Sequence, residues 1–212
     1  MQQGAIHPVS FSVDYPDRDL DRFTTFFRLF AAIPILILLG SVGGGIWEWT
    51  EENGRSAVRT VGTGGLLFLG PLLMIVFRQK YPRWWFDWNL ELMRFVNRVA
   101  VYVALMDDRY PATDEPQSVH LDFDYPNARG DLNRWLPLVK WFLAIPHYIV
   151  LFILYCATFF VLIIVWFAIL FTARYPRGLF EFVEAVGRWH NRVVAYSFLL
   201  VTDRYPPFSF SA

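Results

Sequence analysis

Two short constellations carry the residue types most able to do chemistry. Arg94, Asn97 and Arg98, and again Arg188, Asn191 and Arg192, put two guanidinium groups and an amide at positions i, i+3 and i+4, which is one face of a helix. Guanidinium at a membrane interface binds lipid phosphate well, so each set is a candidate headgroup site. The competing reading is intramolecular pairing with Asp87, Glu91, Glu181, Glu184 or the aspartates of the DRYP boxes, because buried arginines usually find carboxylates. His147 follows Pro146 inside an apolar run, where an ionisable group is a candidate ligand. The stronger reading is structural, a neutral histidine bonding a backbone carbonyl freed by that proline. His190 lies between Trp189 and Asn191 with no carboxylate or second histidine at metal spacing, so no metal site is expected. No cofactor is expected either; axial haem or chlorophyll ligation by His147 or His190 is the remote option. G-x-S-x-G, HExxH, Walker and Rossmann signatures are all missing, and the acids form no pair within an apolar segment. The expectation is that the protein is not an enzyme.

Composition says where such residues must work. The 212 residues are 55% hydrophobic, 19% aromatic and only 18% charged, which points to a bilayer. Nineteen basic residues balance nineteen acidic ones, so the basic field of a nucleic-acid binder is lacking. The one cysteine, Cys156, excludes an intrachain disulfide framework. The first 22 residues carry four aspartates and no apolar core, the wrong chemistry for a secretory signal.

The elements that position these residues recur. VSFSVDYP at 9–16 is similar to VHLDFDYP at 119–126, and RFTTFFRLFAAIP at 22–34 to RWLPLVKWFLAIP at 134–146. RQKYPR, RFVNRVAVY and DRYP in the first half parallel TARYPR, RWHNRVVAY and DRYP in the second. This predicts a mostly α membrane protein built as a tandem repeat. Repeat one, 1–111, holds a strand at 9–15, transmembrane helices at 23–47 and 60–77, and an interfacial helix at 84–106. Residues 112–118 form a linker. Repeat two, 119–212, holds a strand at 119–125, transmembrane helices at 135–155 and 157–173, and an interfacial helix at 178–201.

Each span approaches the roughly 20 residues needed to cross about 30 Å of hydrocarbon. The unbroken run 135–171 is long for one helix, so a turn is placed near Tyr155 to Thr158, although Tyr-Cys-Ala-Thr lacks the usual turn residues; one kinked helix is the alternative. The stripe at 178–201 could lie on the membrane surface or pack on the strands as a domain core, since both use the same periodicity. With four spans, Arg55 and Arg59 face one side and the remaining basic residues the other, which puts both termini in the cytoplasm.

The AIPH helix, FTARYPRGLFEF, RWHNRVVAY and LLVTDRYPPF resemble the bacterial membrane-protein family catalogued as domain of unknown function 4389. The resemblance is closer in the second half, and the first looks like a degenerate copy, with Ile35 and Val96 where the second has His147 and His190. It implies a protein of the bacterial cytoplasmic membrane and no transferable catalytic residue. The first half also carries an insertion around 47–59, where Trp47, Trp49 and Glu51 are candidate partner contacts. The functional expectation is a non-catalytic accessory or scaffold subunit of a larger membrane complex. A lipid or small-molecule binding or transport module is the alternative, and a homo-oligomeric channel the second. Expected partners are membrane lipids and other membrane subunits or further copies of the chain, and no nucleic acid.

Overall fold

The computed structural model describes the backbone of residues 8–42, 45–52, 55–62, 64–113 and 115–211, with side chains outside 42–67. In chain order the elements are β1 (Val9–Val13), α1 (Arg22–Phe26), α2 (Arg28–Val42), β2 (Gly45–Glu52), β3 (Arg55–Gly62), α3 (Gly64–Arg78) and α4 (Arg83–Val103). There follow β4 (Val119–Phe123), a 3₁₀ turn (Leu136–Leu138), α5 (Lys140–Leu143), α6 (Ile145–Thr172) and α7 (Arg177–Ser197). The chain is mostly helical.

Alternation makes the first sheet. In β1 and β4 every second residue is buried, and the two strands pair antiparallel with Val9 opposite Phe123, Phe11 opposite Leu121 and Val13 opposite Val119. The two similar segments therefore meet about a local twofold centred on the Phe11–Leu121 pair. Ser10, Ser12, Asp14, His120 and Asp122 form the exposed face. Beneath the buried face lie α4, against β4, and α7, against β1. Each begins directly after a proline in extended geometry, Pro82 or Pro176, whose missing N–H is no loss at a helix start. The apolar stripes of α4 and α7 thus form a domain core with the strands, the second of the two readings that their periodicity allowed.

Asn97 and Asn191 join α4 to α7. Each amide donates to the other's oxygen, at 2.9 and 2.8 Å, and also to the carbonyl four residues back in its own helix, Met93 or Gly187. The arginines one turn earlier cross over. Arg94 donates to the Leu121 carbonyl in β4 and Arg188 to the Phe11 carbonyl in β1.

A third layer is apolar. α2 packs on α4, and α6 on α7 and α1. α6 is 28 residues, about 42 Å at 1.5 Å per residue, and is the one helix among the described residues long and apolar enough to cross a membrane. It runs past α7: Leu151 packs with Trp189 and Val193, and the Tyr155 hydroxyl meets Nδ1 of His190 at 2.6 Å. Its outer side exposes Ile149, Phe152, Phe159, Phe160, Phe167 and Phe171.

Several expected boundaries are corrected. The spans 135–155 and 157–173 are not a hairpin, because no residue between His147 and Thr172 is Gly, Pro, Asn or Asp, and an uninterrupted apolar run keeps its helical hydrogen bonds through Tyr155 to Thr158. Residues 135–143 instead form the 3₁₀ turn and α5. The span 23–47 breaks at Phe27 and ends at Val42, so position 47 lies in β2. The span 60–77 starts only at Gly64, since 55–62 is β3, which pairs with β2 from Gly45 opposite Gly62 to Glu52 opposite Arg55. At 15 residues, α2 and α3 are each about 22 Å long, short of the roughly 30 Å of hydrocarbon. Four helices of membrane-crossing length are therefore not found among the described residues. The strands stop at Val13 and Phe123, two residues early, as the chain turns toward Pro16 and Pro126.

Replacing Asn191 by leucine strands the Asn97 amide in a buried site, which costs about 1–3 kcal/mol, whereas an apolar pair removes both demands at once. Thermal melts of Asn191→Leu, Asn97→Leu and the double variant are expected to show the double variant more stable than the sum of the single losses.

Candidate functional site

The fold takes the sequence-predicted arginines inward. Besides the Leu121 carbonyl, Arg94 meets Glu91 at 2.5 Å and Asp122 of β4 at 3.4 Å. Arg188 bonds Glu184 at 2.8 Å and the Phe210 carbonyl at 3.1 Å. Arg98 donates to the carbonyls of Ala112 and Thr113, and Arg192 to those of Ser209 and Ser211. These guanidiniums hold strands and tail segments to α4 and α7. Pairing with Glu91 and Glu184 is the intramolecular reading, joined by backbone acceptors that composition cannot reveal.

His147 is fully buried in the seam between α6 and α7. Its Nδ1 accepts a hydrogen bond from Trp189 Nε1 at 3.1 Å, and Phe208 stacks on its ring at 4.0 Å between centroids. That stacked ring covers one face, so a macrocycle on His147 would have to displace it. His190 sits further along α7 against Tyr155, and burial lowers its pKa from the usual histidine value. The two histidines thus occupy separate aromatic settings. Among the described residues no group of three or more His, Cys, Asp or Glu is gathered as for a metal ion. The side chains of Trp47, Trp49 and Glu51 lie outside the described residues; their backbone forms β2.

The more telling chemistry sits where the apolar helices begin. Lys140 of α5 has no exposed surface; its ammonium meets Asp203 and the Thr202 carbonyl, both at 2.7 Å, and lies 5.1 Å from the Tyr196 ring centroid. Arg28, at the start of α2, is the counterpart: Nη1 donates to the Asp107 carbonyl at 2.6 Å and the guanidinium lies 4.2 Å from the Tyr102 ring centroid. The correspondence then fails. Asp108, which matches Asp203, is held by Arg18. Arg28 is 1% exposed, and its Nε and Nη2 have no hydrogen-bond partner among the described residues.

Asp107 anchors this corner. Its carboxylate accepts from Ser118 Oγ at 2.7 Å, from Arg109 Nε at 3.0 Å and from Arg18 Nη2 at 3.2 Å. Burial pushes its pKa up, and the hydrogen bonds from Ser118 and Arg109 outweigh that, leaving the carboxyl below its ordinary value.

Residues 135–209 match a family described as a domain of unknown function, DUF4389. The match is a single stretch that runs from just before the 3₁₀ turn to beyond α7, so the earlier segment read as a first copy lies outside it. No curated protein and no solved structure matches the chain.

Sequence reasoning passed over Arg28, Thr25, Lys140 and Asp107. The signal available was a cation within an apolar run, Arg28 after FTTFF and Lys140 after LPLV, since charge at that depth always needs an account.

Because the folded pKa of Asp107 is depressed, its contribution is present above the ordinary carboxylate value of about 4 and is lost as pH falls through the lower folded value. Chemical denaturation across that acid range is expected to show Asp107→Asn less stable than wild type near neutrality and less sensitive to acid. Parallel pH profiles for the two proteins would contradict this placement of the carboxylate.

Proposed function

We propose that the chain is a non-catalytic, membrane-embedded accessory or scaffold subunit. One observation carries this reading. The polar side chains that looked chemically able are engaged in holding the sheet, α4 and α7 together, while the helices beneath turn large apolar side chains outward. Phe30, Ile37, Phe152, Phe160 and Phe171 are each mostly exposed, and large apolar side chains gathered at a surface mark a partner or membrane contact.

The same observation bears on topology. α6 packs on α7, Leu151 with Trp189 and Val193 and Tyr155 with His190, and α7 is tied to β1 through Arg188 and through Glu184, which accepts from the Val13 N–H. Driving α6 straight across hydrocarbon would draw the charged α7 and the sheet in with it, at a prohibitive desolvation cost. We infer that α2, α3 and α6 lie within one side of the bilayer, with the sheet and α4 and α7 above them. The paired contacts also support two copies of one unit: Asn97 with Asn191, the crossed arginines, and Tyr15 and Tyr125 donating to the Tyr175 and Tyr81 carbonyls. In that scheme the 43–63 segment opens in the first copy the helix that runs unbroken in the second.

Membranes holding the tagged full chain should retain it through an alkaline carbonate wash. Native mass spectrometry after mild detergent extraction should then show it with a second membrane polypeptide in fixed ratio. Release by carbonate contradicts the membrane reading, and recovery as a bare monomer contradicts the subunit reading.

A further inference from the structure

Between α1–α2 and α6 lies a cavity of about 430 Å³, within the roughly 300–1,000 Å³ of small-molecule sites. Its wall is apolar, with Leu29, Leu105, Phe159, Leu162 and Phe167 among its lining. Leu29, Phe159 and Phe167 are 72%, 62% and 50% exposed, so the rim opens onto the apolar layer. The polar exceptions at its head are Arg28 and Thr25. Thr25 has no exposed surface, and its Oγ1 has no hydrogen-bond partner among the described residues, nor have Nε and Nη2 of Arg28.

A buried guanidinium with idle donors is costly and needs an anion or an acceptor. The second half shows how the chain meets that need when it supplies the acid itself, through Lys140 and Asp203. Here the corresponding acid, Asp108, bonds Arg18, and it acts on Arg28 only through space, as Asp107 does. The cation is left facing an apolar cavity whose open side meets the lipid-facing surface.

We propose that this cavity binds an anionic amphiphile, its acid group on Arg28 and Thr25 and its chain between α2 and α6. A carboxylate suits the guanidinium through paired N–H donors, and a phosphodiester offers the same oxygens, so the recognised chemistry is a singly anionic head on an apolar chain. The site does not involve Arg94, Arg98, Arg188 or Arg192, and it stands or falls independently of whether the chain has a protein partner.

The test uses the delipidated full chain in nonionic detergent. Brominated oleate should quench Trp166, which lines the cavity and donates through Nε1 to the Thr25 carbonyl at 3.2 Å. Competition then ranks oleate, dioleoyl phosphatidylglycerol, oleyl alcohol and inorganic phosphate. Either anionic lipid should compete at least tenfold better than oleyl alcohol. Preference for oleate identifies a free fatty acid as the source, and preference for phosphatidylglycerol a phospholipid. Arg28→Gln should weaken binding at least tenfold, and Leu162→Trp should block it by filling the cavity. Arg18→Ala should weaken it by freeing Asp108 to approach Arg28, an effect that loss of folding does not mimic when the melt is unchanged. Equal binding of oleyl alcohol, binding of phosphate alone, no binding at all, or unchanged affinity in both Leu162→Trp and Arg18→Ala would overturn the proposal.

Discussion

Two amides placed where water cannot reach them set the terms for the rest of the molecule. Asn97 and Asn191 must satisfy four donors and two acceptors without solvent, and they do so only by facing each other while leaning on their own helices. That geometry fixes the distance and rotation of α4 against α7. It also places Arg94 and Arg188 one turn away, where each reaches a strand carbonyl near the centre of the β1–β4 pair. Sheet, α4 and α7 become one clamp with an apolar core pinned by this amide pair, and the apolar helices pack beneath it.

The two sides of the clamp then diverge. On one, α6 continues unbroken and the cation at the head of the run, Lys140, has its acid. On the other, β2 and β3 lie between α2 and α3, and no carboxylate bonds Arg28 directly, since Asp108 bonds Arg18. Arg18, exposed and five residues beyond β1, would ordinarily matter little; here it holds the acid that would otherwise stand against a buried charge.

Much of this was legible in residue patterns. Period-two alternation located β1 and β4, and the apolar stripes with prolines before them located α4 and α7 to within a few residues. The reciprocal placement of RFVNRVAVY and RWHNRVVAY predicted that their arginines and asparagines act alike, though lipid phosphate was a wrong-facing target for side chains that bond Leu121 and Phe11. A continuous apolar run was the opaque part. From Ile145 to Thr172 the sequence is apolar throughout and carries no period that says whether such a helix crosses, bends or lies along a surface. That information resides in the partner it packs on, α7. α2 and α3 are shorter than expected because 45–52 and 55–62 pair as strands where longer helices were expected. Arg28 was visible, but its lack of an acid depends on where Arg18 folds back, a contact across 90 residues.

In the proposed arrangement α6 lies along the membrane with both ends on the same face. Single cysteines at Asn133 and Arg174, exposed residues beyond its two ends, can be introduced into a Cys156→Ser full chain and probed with a membrane-impermeant maleimide in sealed and opened cells. Both positions are expected to react from the same side of the membrane. Reaction of one from outside and the other only after opening would establish that the helix crosses, and the clamp-over-lipid arrangement would be wrong.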